Sequence, residues 1–405
     1  MESLEAFFAA LTLSAGYNSA LVAIGAGLLG AAAGGAGAFV FLRRRALVSD
    51  AVSHATLPGV CLAFLIMVAL GTDGRWLPGL LVGSAISAWI GLVIVEWIAR
   101  RTRLTEDAAI GAVLSVFFGF GIVLLTVIQT LPSGRQAGLE AFLLGSTAGM
   151  VLSEAVTIAV ASFLLAALVF VLRRPMTLVA FDPEFAATTG ISVKRIDLAT
   201  MTLALLVTVI GLKVVGLILI VALLIIPPVT ARFWTDQVDR LVILSAVIGG
   251  LSGYVGTALS TVAAALPTGP IIVLMVFGAF AVSAAFSPLR GGVAAGLARW
   301  QFQRQVHRRQ GLLALTRGEP IYDTMTLRTL RRSGLIRPDG VATLDGRAAA
   351  AKAALDEARW AVLRRDQGGD PILDRYDGLT PLEDLLTPDE IADIDRRLPT
   401  AGVVG

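Results

Sequence analysis

The sequence predicts an all-α polytopic membrane domain of about nine transmembrane helices, followed by a small cytoplasmic α(+β) domain. Three observations carry that reading. Of 405 residues, 56% are hydrophobic and only 16% charged, whereas soluble domains lie nearer about 45–50% apolar and about 25% charged. The charges are also uneven, since residues 1–299 hold 17 Lys/Arg and 14 Asp/Glu while the last 106 hold 16 and 16. Finally, apolar runs of about 20 residues, the length a helix needs to cross a bilayer, recur through the first part and stop before the second. The domains are therefore drawn at 1–298 and 299–405.

Backbone groups in lipid must be satisfied within the helix, so each long apolar run is read as a helix. The first, 19–42, ends in Arg43-Arg44-Arg45 and is too long for a signal-peptide core; Met1, Glu2 and Glu5 also lack a basic start, which suits a retained span. The runs 51–71, 76–99, 107–130 and 149–172 follow, then 196–212, 214–233, 238–264 and 270–288. Only Lys213 and its neighbours divide the sixth from the seventh, so that pair reads as a tight hairpin or a partly re-entrant segment, and the count is eight to ten. With nine spans and the N-terminus outside, five basic clusters fall on one face: Arg43 to Arg45; Arg100, Arg101 and Arg103; Arg173, Arg174, Lys194 and Arg195; Arg232 and Arg240; Arg290 and Arg299. The opposite loops (Asp73 with Arg75, residues 131–140 and 266–270) are poor in positive charge, so the tail is expected in the cytoplasm. Small residues crowd 25–37 (glycine and alanine) and 249–256 (glycine and serine), a composition that lets helix backbones approach closely in lipid.

The composition also excludes. A lone cysteine, Cys61, forbids an internal disulfide and any multi-cysteine metal cluster. No Gly-x-x-x-x-Gly-Lys-Ser/Thr run grips nucleotide phosphates, and no Gly-x-Ser-x-Gly, His-Glu-x-x-His or Cys-x-x-Cys appears. With two histidines in the chain, hydrolytic catalysis by this polypeptide alone is not expected.

The sharpest chemical feature is Asp50-Ala51-Val52-Ser53-His54. On a helix, residues four apart lie on one face, and a carboxylate with an imidazole can share a divalent transition metal. If Arg45 marks the inner interface, His54 lies about 13 Å deeper at the α-helical rise, where ionisable groups normally face a bundle interior or a watery path. Cys61, seven residues on, is a possible extra soft ligand. The plainer alternative is that Asp50 caps the helix start, His54 is a satisfied interior residue and Cys61 is packing. Between the fifth and sixth runs, Asp182 is a good N-cap, Pro183 suits the first helical position and Gly190 a stop. The result is a short inner-face helix with exposed Phe181 and Phe185 beside Glu184, either a simple connector or a docking knob. The run 216–232 ends in Pro227-Pro228-Val229-Thr230-Ala231-Arg232; its freed carbonyls face a cavity or the helix simply stops there.

At these places the chain resembles the membrane permease of ATP-binding-cassette importers for zinc, manganese or iron. Ser49-Asp50-Ala51-Val52-Ser53-His54-Ala55-Thr56-Leu57-Pro58-Gly59 is similar to that family's Gly-Asp-Ala-x-Ser-His-Ala-x-Leu-Pro-Gly signature, departing at Ser49. Thr105-Glu106-Asp107-Ala108-Ala109-Ile110-Gly111 and 215–232 resemble two further blocks, and the likeness spans about 18–288. The resemblance implies a type II importer fold in a bacterial inner membrane, a second permease copy or paralogue completing a dimer, a cytosolic ATPase and an extracytoplasmic metal-binding protein. It further implies that Asp50 and His54 line the route and that residues 181–190, including Phe181, Asp182, Glu184, Phe185 and Gly190, form the coupling helix seated in the ATPase. No permanently bound cofactor is implied: the divalent metal is cargo and the partner hydrolyses ATP.

In the tail, residues 300–365 carry 13 basic and 6 acidic residues, and 366–405 carry 3 and 10. A basic helix over 299–315 would favour anionic headgroups. A helix over 326–336, a turn and wing over 337–344 and an Ala-rich helix over 346–365 resemble the winged-helix part of iron-dependent repressors, and 382–390 their following segment. That family's metal-binding histidines have no counterpart here, since His307 precedes the fold. Three functions are weighed: an ATPase-powered metal permease, which is preferred; a membrane-anchored DNA-binding or metal-responsive regulator; and an ion-driven carrier. Nucleic acid is not an expected partner, and the opposed charges of the tail's halves have the option of pairing within it.

Overall fold

A computed structural model describes residues 2–72, 74, 76–130, 151–212, 216–262, 266–366 and 377–398. Asp73, Arg75, residues 131–140 and Lys213, all invoked above for loops, lie outside them. The chain divides into two compact units, Met1–Gly292 and Val293–Gly405.

Among its described residues the first unit consists of helices and their connecting turns, with no strand. A short helix α1 (Glu2–Leu11) precedes α2 (Tyr17–Leu42), α3 (Ala46–Ala69), α4 (Leu77–Arg101), α5 (Glu106–Thr130) and α6 (Leu152–Phe181). After the single-turn-and-a-half α7 (Pro183–Thr188) come α8 (Val193–Gly211), α9 (Leu217–Arg232), α10 (Val238–Ser260) and α11 (Thr268–Phe286). Seven of these, α2 to α6, α10 and α11, are long and apolar enough to cross a membrane. The count of nine from sequence therefore meets a specific obstacle. The sixth and seventh runs do fold as helices, but α8 carries Lys194, Arg195 and Asp197 near its start, and α9 has only 16 residues.

α2 is the central column. Leu29, Ala33, Ala36 and Phe39 pack with α6, α8, α9 and α11 in the largest apolar cluster. The small residues singled out in sequence meet one another here. A Cβ on Gly30 would collide with the carbonyl oxygen of Gly249 and one on Gly249 with that of Gly30, while Gly34 lies against Ser245 and Gly253 against Ala26. Close backbone approach of α2 and α10 is thus what the glycines provide, since apolar force between helices is weak in lipid. A second cluster gathers α3, α4, α5 and α8 around Val52, Leu92 and Val113.

Two boundaries differ from the sequence reading. α6 does not stop near 172 but runs through Arg173, Arg174 and Pro175 to Phe181. Likewise α9 continues through Pro227-Pro228 to Arg232 rather than ending at the pair. A proline removes one hydrogen bond from a helix, and in both cases flanking helices hold the segment on course.

The second unit comprises α12 (Gly292–Arg317), α13 (Thr324–Arg332), α14 (Leu344–Asp366), a 3-10 turn at Leu382–Asp384 and α15 (Pro388–Arg397). Leu312, Leu330, Leu335, Ile336 and Ala350 form its core, and Trp360 is fully buried. The expected wing is reduced to one antiparallel bridge, Ile336 to Ala342, with no strand among the described residues. Pro338 has no N–H to give, and Gly340 (φ 86°) turns the chain tightly, leaving Arg337 N–H to Val341 O (2.8 Å) and Thr343 N–H to Leu335 O (3.0 Å) to close it. The tail's opposed charges do pair across its halves: Lys352 with Glu383 (2.7 Å) and Arg359 with Asp395 (2.7 Å).

Candidate functional site

α3 starts directly from the arginine turn, with Arg45 in the N-cap position. Asp50 therefore lies in the second turn, and the reading in which it merely caps the helix does not hold. His54 Nε2 sits 3.6 Å from Asp50 Oδ1, with the two side chains 19% and 43% exposed. The other ring nitrogen, Nδ1, is buried with no hydrogen-bond partner, so Nε2 is the nitrogen presented beside the carboxylate. Phe118 of α5 meets the imidazole edge-on, 4.9 Å between centroids at 85°, which sets the plane of the ring.

That spacing suits a shared cation. Ligand atoms about 2.1 Å from one ion, typical for nitrogen and oxygen on zinc, subtend about 120° when they are 3.6 Å apart. The pair supplies two ligands and no more: among the described residues no cluster of three His, Cys, Asp or Glu side chains exists. One turn further, Pro58 lacks the N–H that would bond the His54 carbonyl. Behind the pair, Ser87 of α4 donates to the Ala55 carbonyl at 2.7 Å, and Gly59 crosses Gly83 with no room for a Cβ. These contacts fix α3 against α4 at the level of the site.

Cys61 is not brought to the pair. It is 0% exposed, packed with Leu57, Val60 and Phe64, and its Sγ lies 3.8 Å from the Gly121 carbonyl of α5. Residues 181–190 fold as their residue types dictate. Asp182 Oδ1 accepts the Phe185 N–H at 2.9 Å, Pro183 opens α7, and Gly190 follows it at φ 84°. Ala186 faces inward, while Phe181 and Phe185 are 64% and 54% exposed and Glu184 is exposed beside them. Sequence reasoning passed over Asp197, the one acid in the sixth apolar run, which is buried in α8 and paired with Arg43 at 2.8 Å. A solitary carboxylate in an apolar run was the signal that could have found it.

A helical bundle of this length and apolarity belongs to the class of polytopic membrane proteins. Residues 17–287 match the ABC 3 transport family, and the chain belongs to that family. It is 41% identical over 298 residues to the manganese transport system membrane protein MntC of Bacillus subtilis, covering 74% of this chain and 67% of the relative. To the zinc transport system membrane protein TroC of Treponema pallidum it is 38% identical over 283 residues, covering 70% and 93%. Among solved structures, PsaBC from Streptococcus pneumoniae in complex with Fab superposes with a TM-score of 0.61 at 26% identity, covering 71% of this chain and 97% of that one.

Proposed function

We propose that the chain is the permease subunit of an ATP-binding-cassette importer for a divalent transition metal (manganese, zinc or iron), and that Asp50 and His54 line the route. Family membership and relatives that carry manganese and zinc in their names support the transport reading. The observation that carries the site is the half-exposed Asp50–His54 pair within an apolar helix. A carboxylate left open on such a helix is costly in hydrocarbon, so this face is turned to a second permease copy and a watery path between the two. α8 and α9 complete nine crossings, because their 19 and 16 residues rise about 28 and 24 Å, close to the hydrocarbon thickness. The arginine-rich ends then lie in the cytoplasm of a bacterial inner-membrane protein.

In this scheme α7 is the coupling helix, presenting Phe181 and Phe185 to a cytosolic ATPase that supplies the hydrolysis, and an extracytoplasmic protein delivers the metal. The second unit is a cytoplasmic regulatory or assembly module of winged-helix order. Uptake of radiolabelled manganese or zinc by cells carrying Asp50→Ala or His54→Ala tests the route. At equal membrane abundance, each variant is expected to lose at least tenfold. Unchanged uptake removes both residues from the path.

A further inference from the structure

The three-residue turn between α2 and α3 is an ionic junction that reaches four other helices. Arg43 donates to the Val179 carbonyl at the end of α6 (2.9 Å) and to the buried Asp197 carboxylate in α8 (2.8 Å). Arg45 faces Glu96 of α4 (3.2 Å) and Glu106 of α5 (3.4 Å), and Glu96 also accepts from Arg100 (2.6 Å). Arg44, between them, is held at φ 57°, a left-handed conformation that a non-glycine residue keeps only where its surroundings over-determine it. The cap of α2 supplies them, the Arg44 and Arg45 N–H groups bonding the Phe41 and Val40 carbonyls, while the Arg43 and Arg45 side chains are each clamped to a different pair of helices.

Position gives this junction a mechanical meaning. Asp197 lies nine residues after α7 in the first turns of α8, and Val179 lies four residues before it, so Arg43 grips both flanks of that short helix. Arg45 caps α3 five residues before Asp50. We propose that the Arg43–Asp197 and Arg45–Glu96/Glu106 pairs transmit displacement of α7 to the Asp50–His54 segment, with Arg43, Arg45 and Asp197 as positioning residues. The inference rests on the permease reading above. A rigid turn clamped on both sides shifts as one piece, so motion at α8 is delivered to the start of α3 rather than absorbed in a loop. The far side has room to rearrange: a cavity of about 320 Å³ opens beside Arg45, Glu96 and Glu106. Proximity alone does not establish coupling between sites, and a two-sided perturbation does.

The test uses the chain assembled with its ATPase subunit in proteoliposomes, with the binding protein and Mn²⁺, reading ATP hydrolysis and ⁵⁴Mn uptake in the same vesicles. Asp197→Asn is expected to keep hydrolysis within about twofold while metal moved per ATP falls at least fivefold. The reversed pair Arg43→Asp with Asp197→Arg is expected to recover at least half of that ratio. Parallel loss of hydrolysis and uptake, an unchanged ratio, or a reversed pair no better than the single variant overturns the proposal. Should Asp197→Asn fail to assemble, Glu106→Gln on the exposed side of the junction carries the same decision, with at least a threefold fall in the ratio expected and an unchanged ratio overturning it. Wild-type vesicles that hydrolyse ATP without taking up manganese, zinc or iron would instead refute the permease reading beneath.

Discussion

Asp50 and His54 show what the proposed route requires of a single helix. The four-residue spacing aligns them, Phe118 sets the ring, and the two facing ligand atoms stand 3.6 Å apart. On the proposed route, two side-chain ligands would hold an ion weakly enough for passage. The contrasting prediction concerns Cys61: because its thiol is sealed against α5, Cys61→Ala is expected to leave manganese uptake within twofold of wild type, whereas loss comparable to His54→Ala would return it to the ligand set. The pair itself was legible in sequence, since two ionisable residues one turn apart in an apolar run have few structural reasons to be there. Its exposure was not, because that depends on where α4 and α5 pack. Asp197 escapes a sequence reading for a related reason: its partner Arg43 is distant along the chain and looks there like a topological marker.

At the scale of elements, α2 and α10 meet backbone to backbone. Gly30→Val is expected to force them apart and cost about 1–3 kcal/mol, the usual range for overpacking, seen as a lower unfolding midpoint in detergent. For α7 the prediction separates docking from folding. Phe185→Ala removes an exposed ring, so the chain's own unfolding midpoint should hold while affinity for the ATPase falls at least fivefold in a pull-down titration. Asp182, Pro183 and Gly190 announced that helix because cap, first-turn and stop residues act locally. The apolar runs at α8 and α9 do fold as helices, but Lys194, Arg195 and Asp197 and the 16-residue length of α9 leave them outside the seven that are long and apolar enough to cross. The wing faltered for a similar reason: Pro338 leaves one bridge where the pattern suggested strands.

For the whole molecule, the two units differ sharply in composition and should fail differently. In the second, Thr326 hydroxyl and N–H groups hold the Asp323 carboxyl below its ordinary value, Arg359 does the same for Asp395, and Lys352 for Glu383. A carboxyl whose folded pKa is depressed contributes stability that is complete above its unfolded value, about 4, and is lost as pH falls through the folded one. Fluorescence of Trp360, with the other tryptophans replaced by phenylalanine, is therefore expected to be flat from pH 6 to 8 and to report unfolding only below about pH 4. An acid transition already present near pH 6 would contradict that. The concealed thiol of Cys61 has a practical corollary. Since the chain holds no second cysteine, a maleimide dye added to the native protein finds no reachable target. Any reporter cysteine installed on the arginine turn or on α7 would then be tagged alone, and spectroscopic rulers could follow the transport cycle without first rebuilding the protein.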